Sequence, residues 1–160
     1  MTTRQKKEPI SIKFLDFAIT KISFELNEDF FEKQEKKEDA KIAFNPEFKG
    51  EIAFDKENSI LVVKLGVKIN WQTENSPFDI EVIGKGVFQL NKEPEDIEKL
   101  AWINCAAIIF PFIRETIADV TRRSGLPPLL IPPTNFVRVF ENIKKQGNVK
   151  KENEDKDKDK

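Results

Sequence analysis

Thirteen consecutive residues, Ala101 to Ile113, carry no charge in a chain whose residues are 34% charged. A helix that is apolar nearly all round must be buried on more than one side, and that demand constrains the rest of the chain. A charged, helix-like segment follows to Ser124, and then the loop Leu126-Pro127-Pro128-Leu129-Leu130-Ile131-Pro132-Pro133. Loops run over the surface and are ordinarily polar. A loop built from leucine and proline therefore either packs on the domain or presents a binding surface.

Upstream of the helix the apolar period is two. Ile10, Ile12 and Phe14, then Phe17 and Ile19, then Ile22, Phe24 and Leu26 alternate with two slips of phase, the signature of a strand with bulges or bends. Asn27 to Asp39 is a charged connection in which Phe30 and Phe31 serve as pins. Ala40 to Phe48 alternates again with Ile42 and Phe44 on one face, and Pro46 confines it to an edge or a strand end. Ile60 to Trp71 is the cleanest strand, and Phe78 to Leu90 follows after a polar turn, as in an antiparallel pair. Gly84 and Gly86 fall on the apolar face of that last strand and leave room for a helix to lie close.

The period then changes. Pro94 and neighbouring acids suit a helix start, and the pattern predicts a helix to Ser124 with a break near Pro111 and a stop at Gly125. Asn135 caps a last helix to about Lys145, with Phe136, Val139, Phe140 and Ile143 on one stripe. Four strands followed by two helices indicate an α+β fold, a four-stranded antiparallel sheet covered by a long helix and a shorter C-terminal helix. Residues 1–147 are expected to form one domain and residues 148–160 a disordered charged tail.

The long helix is too apolar for a sheet contact alone. Trp102, Ile109, Phe110, Phe112 and Ile113 cannot all meet one sheet on this reading, so Trp102, Ile109, Phe110 and Ile113 are expected at an oligomer interface. Apolar residues remain in surplus even so. Ile42, Phe44, Leu129, Leu130, Phe136, Val139 and Phe140 either line an exposed groove for a partner or simply close the core.

Catalytic chemistry is thinly supplied. The chain has no histidine and a single cysteine, Cys105, inside the apolar run, so neither the commonest general base nor a thiolate cluster is available. No catalytic residue, metal site or cofactor is expected. With 27 basic and 28 acidic residues the balance gives no argument for nucleic acid, and most of the 14 phenylalanines fall on core faces. The longest uncharged apolar run is shorter than the roughly 20 residues a membrane helix needs, and the N-terminus lacks the pattern of a secretory signal. A cytoplasmic protein is expected.

From Ile108 onward, IIFPFIRETIADVTRRSGLPPLLIPPTNFVRVFENI resembles the protein-export chaperone family SecB: an apolar helix with Phe-Pro-aromatic-x-Arg-Glu, a Pro-Leu loop, and Asn-Phe opening the last helix. Lys21-Ile22-Ser23-Phe24-Glu25 is similar to the family's first-strand motif, and Gly86-Val87-Phe88 to the end of its fourth strand. The resemblance implies a homotetramer assembled as a dimer of dimers through the long helix. It implies an activity without catalysis: holding unfolded or precursor polypeptides in apolar grooves and passing them to the export ATPase SecA. By position, Ile42, Phe44, Leu129, Leu130, Ile131, Phe136, Val139 and Phe140 would hold the client, and Glu25 and Glu81 would meet SecA. Lys21 replaces the family's usual acid, Asp79 stands where an apolar residue is common, and the tail is mixed in charge; these departures bear on the SecA contact. Some SecB-like proteins instead serve toxin–antitoxin systems by protecting one antitoxin, the alternative role.

Overall fold

The computed structural model describes residues 8–33 and 43–146 of the chain. Four strands, β1 (Ile12–Leu26), β2 (Phe44–Asp55), β3 (Ile60–Trp71) and β4 (Phe78–Leu90), form one antiparallel sheet in the order β1-β4-β3-β2. β1 and β2 are thus the two edges, and Pro46 in β2 sits on an edge strand as its missing N–H requires. The two slips of phase in β1 are register shifts, between Phe14 and Asp16 and between Ile19 and Lys21. They keep Phe14, Phe17, Ile19, Ile22 and Phe24 in line with the helix-facing residues of β4 despite the extra residues. The segment after β1 is not wholly irregular: Glu28–Lys33 is a short helix, with Phe30 and Phe31 in edge contact at 5.1 Å.

The long helix runs from Ile97 to Arg123. Asp96 caps it by accepting a hydrogen bond from the Lys99 N–H at 3.1 Å, and Gly125, at φ 92°, takes the left-handed conformation that ends it. The expected break near Pro111 is absent. Pro111 lies on the exposed side, where the carbonyl one turn back can turn to water instead of to the missing N–H. The irregularity comes earlier, at Leu100–Cys105, where the turns widen and the Ala106 N–H bonds back to the Ala101 carbonyl. Residues 136–146 form the last helix, capped by Asn135, whose side-chain oxygen accepts from the Val137 N–H at 3.0 Å.

Glycines seat the long helix on the sheet. A side chain at Gly86 would strike Ile109, one at Gly84 would strike Phe17 and Ile113, and one at Gly50 would overlap the Trp102 indole. The core lies beneath: Leu61, Leu65, Val67, Ile80, Val82 and Phe88 from the sheet meet Ile109, Ile113 and Ile117 from the helix. By length and composition the helix could also cross a membrane, but 44% of its most apolar window is buried against the fold and its inner side is fitted to the sheet.

This packing corrects the expected oligomer face. Ile109 and Ile113 are fully buried, and Phe110 and Trp102 nearly so, all within the single chain. Glycine has removed the side chains that would have kept the helix off the sheet, so more of its circumference finds partners than the apolar count allowed. Phe112 and Ile108 are the large apolar side chains of this helix left exposed.

Candidate functional site

Alternation along β2 turns Phe44, Phe48, Gly50 and Ile52 toward the helices and leaves Glu47, Lys49 and Glu51 on the opposite face. Because Gly50 has no side chain, Trp102 reaches across to the strand backbone and makes a floor. The last helix lies alongside, with Phe140 and Ile143 facing the same space. The result is an open groove of about 470 Å³ beside an edge strand, apolar on its walls and with Glu98, Lys49 and Lys144 at its rim. The Lys144 ammonium lies 5.1 Å from the Phe140 ring centre, a cation–π contact that holds the rim in place.

Behind Phe48 of the groove lies an aromatic cluster. Phe48, Phe110 and Phe136 meet edge to face at 5.8, 5.6 and 5.4 Å. Phe44 makes the same kind of contact with Trp71 at 5.7 Å, and the Trp71 indole N–H donates to the Phe78 carbonyl at 2.7 Å. The proline loop is fastened from beneath by Thr121. Its buried hydroxyl donates to the carbonyls of Ile117 and Ala118 and accepts the Leu129 N–H at 2.8 Å.

The expected client residues divide sharply. Leu130 is 71% exposed on the loop, while Phe44, Leu129 and Val139 are half-buried. Ile131, Phe136 and Phe140 are buried, and each helps close the core against the sheet or the long helix, while Phe140 also borders the groove. Ile42 lies outside the described residues. Sequence reading missed the groove's floor and sides, Phe48, Gly50, Ile52 and Trp102. Phe48 shares the phase of Phe44 and was open to detection; the pairing of Gly50 with Trp102 joins distant segments and was not.

Glu25 and Glu81 lie on the other side of the sheet, away from both helices. Glu81 is not a free acid. Lys21 bonds it at 2.9 Å and Lys49 approaches to 3.9 Å. The hydrogen bond from Lys21 holds its carboxyl below the usual glutamate range, against partial burial, which raises it. The residue that departs from the family pattern is therefore the one that neutralises the expected contact.

A third surface lies along β1. Phe112 stacks on Phe17 at 4.8 Å and on Phe14 at 6.1 Å, and Phe14, Ile22, Ile108 and Phe112 are all exposed along β1, an edge strand among the described residues. Among the described residues no group of three or more His, Cys, Asp or Glu comes together as a metal site. Burial pushes the Cys105 thiol up to about 12, which disables it as a nucleophile.

The sequence model of the family described as Preprotein translocase subunit SecB matches residues 4–147. Uncharacterized protein MJ0357 of Methanocaldococcus jannaschii is 30% identical over 150 residues, 91% of each chain. Protein-export protein SecB of Methylobacillus flagellatus is 39% identical over 74 residues, covering 46% of this chain and 47% of its own length. That of Bartonella quintana is 38% identical over 86 residues, covering 53% of this chain and 54% of its own. The match thus spans about half the length of these SecB relatives. Among solved structures, the Mycobacterium tuberculosis Rv1957 SecB-like chaperone, in complex with a ChAD peptide from the Rv1956 HigA1 antitoxin, has the same fold at TM-score 0.60 and 17% identity, over 78% of this chain and 88% of that one.

Proposed function

The chain belongs to the SecB family, and on that premise we propose that it is an ATP-independent chaperone that holds non-native polypeptides by apolar burial. The observation that carries the reading is the groove beside β2: an apolar trough floored by Trp102, along an edge strand of the described sheet. An extended client can add to that edge through main-chain hydrogen bonds and place alternate side chains in the trough. Backbone pairing and apolar burial are both tolerant of sequence, so one groove serves many clients. Each Å² of apolar client surface buried contributes about 25 cal/mol, offset in part by ordering the client. The Rv1957 complex supports a polypeptide as the ligand.

Residues 1–147 act as one domain in this reading, in the cytoplasm and without catalysis. Self-association, to a tetramer on the family pattern, uses the β1 edge with Phe14, Ile108 and Phe112, where exposed aromatic surface lies along an edge strand of the described sheet. Export with hand-over to SecA is the cellular role that the family favours.

The test is suppression of client aggregation by Leu130→Asp combined with Ile143→Asp. Leu130 is exposed and Ile143 is only partly buried at the margin of the core, so the fold should persist, as circular dichroism would check, while protection of a chemically unfolded client falls about tenfold or more. Full protection by a folded double variant would overturn the groove reading. Binding to purified SecA tests the export role; protection of one antitoxin alone, with no SecA binding, would replace it.

A further inference from the structure

Two charges of opposite sign border the groove, one on each of the helices that build it. Glu98 stands one turn before Trp102, the floor, and Lys144 stands one turn after Phe140, a wall. Residues so spaced are neighbours on a helix surface, so each charge shares a face with the ring it accompanies. Both charges are exposed. Neither forms an ion pair with another described residue. Lys49, the other cation at the rim, leans instead to Glu81 at 3.9 Å on the far side of the sheet.

Lys144 has a contact that a client would take from it. Its ammonium lies 5.1 Å from the centre of the Phe140 ring, and that ring lines the trough. An apolar side chain laid on the ring competes with the ammonium, and at an exposed site a cation–π contact is weak enough to give way. The displaced ammonium then faces a carboxylate on the opposite wall, Glu98. Client atoms packed beneath the two side chains drive off water, and an ion pair strengthens as its surroundings become less polar. Ordering two long side chains opposes the pairing, which keeps its worth modest.

We infer that Glu98 and Lys144 form a clasp that closes over a bound client. The ammonium leaves the Phe140 ring as the client's side chain arrives, and it pairs with the Glu98 carboxylate across the trough. Both members belong to the chaperone, so the clasp slows release without reading the client's sequence. The inference rests on the groove as the holding site and divides its work: apolar burial captures the client and the ion pair retains it.

The test follows release, from the full-length protein, of a dansyl-labelled synthetic peptide of leucine, phenylalanine, serine and glycine. With both ends blocked, this probe carries no charge. Glu98 and Lys144 are exposed, so circular dichroism should report an unchanged fold in every variant. Glu98→Gln and Lys144→Gln should each speed release about fivefold, the upper range for an exposed ion pair. The double variant should be no faster than either, and exchanging the charges, Glu98→Lys with Lys144→Glu, should restore slow release. About 1 M salt should bring the wild type to the variants' rate. In the protein alone the two substitutions should show no coupling in thermal unfolding, because the pair forms only over a client. Additive effects on release, no rescue by the exchange, or coupling in the protein alone would overturn the proposal. Ile143→Asp separates that result from failure of the groove. If it abolishes peptide binding while the Gln variants release at the wild-type rate, the groove stands and the clasp falls. If it leaves binding unchanged, both fall.

Discussion

Gly50 and Trp102 stand in contact across the groove so closely that a Cβ at residue 50 would overlap the six-membered ring of the indole. One residue lies on an edge strand and the other in the widened turn of the long helix. Gly50→Ala should therefore destabilise the fold by about 1–3 kcal/mol, because the ring must shift from the strand to admit the methyl group. Trp102→Leu should recover part of that loss in the double variant. A thermal double-mutant cycle checks the coupling, and additive effects would show that the contact is not tight.

Thr121 ties the proline loop to the helix with one hydroxyl. Thr121→Val preserves the volume but leaves the Leu129 N–H without its acceptor. The expected cost is about 1–3 kcal/mol, with faster amide exchange concentrated at Leu129. Thr121→Ser should keep most of the protection. Equal exchange in all three proteins would mean the loop is held by packing alone.

The Lys21–Glu81 pair makes a small pH-dependent contribution. The Glu81 carboxyl is depressed in the folded state, first by its hydrogen bond from Lys21. The sign follows: the stabilisation is fully present above the ordinary glutamate pKa and is lost as pH falls through the depressed value. Lys21 is more than half exposed, so the pair is worth at most about 1 kcal/mol at neutral pH. Lys21→Ala should raise the Glu81 carboxyl in an NMR titration, and its stability deficit at pH 7 should vanish in acid.

Cys105 gives a clean probe of opening. With its thiol raised to about 12, the folded protein should resist alkylation at pH 8, whereas the unfolded chain should react at once. The labelling rate then follows exposure of the long helix. Rapid labelling of folded protein would show that the helix leaves the sheet readily.

The distance between sequence and structure is clearest at particular residues. Both bulges of β1 are visible as phase slips, the cap at Asn135 follows from local chemistry, and Gly84 and Gly86 announce a close helix. Periodicity identifies an apolar face but does not say what covers it. Phe136 and Phe140 share a stripe with Val139, yet the rings are buried and Val139 is only half-covered. Leu130 and Ile131 are neighbours of the same character, and one points out while the other points in. Those differences depend on the aromatic cluster with Phe48 and Phe110, which joins three distant segments.

The seating of Ile109 on Gly86 and of Ile113 on Gly84 has a mechanical consequence. Four helical residues advance about 6 Å and two strand residues about 6.6 Å, so helix and strand mesh like a rack and its teeth. Sliding the helix by one turn would drive an isoleucine onto Val82 or Phe88 instead of into a notch. Its axial position is therefore locked. Accommodation of ligands of different shape falls to the parts without such teeth, the loop at Leu130 and the helix that follows it.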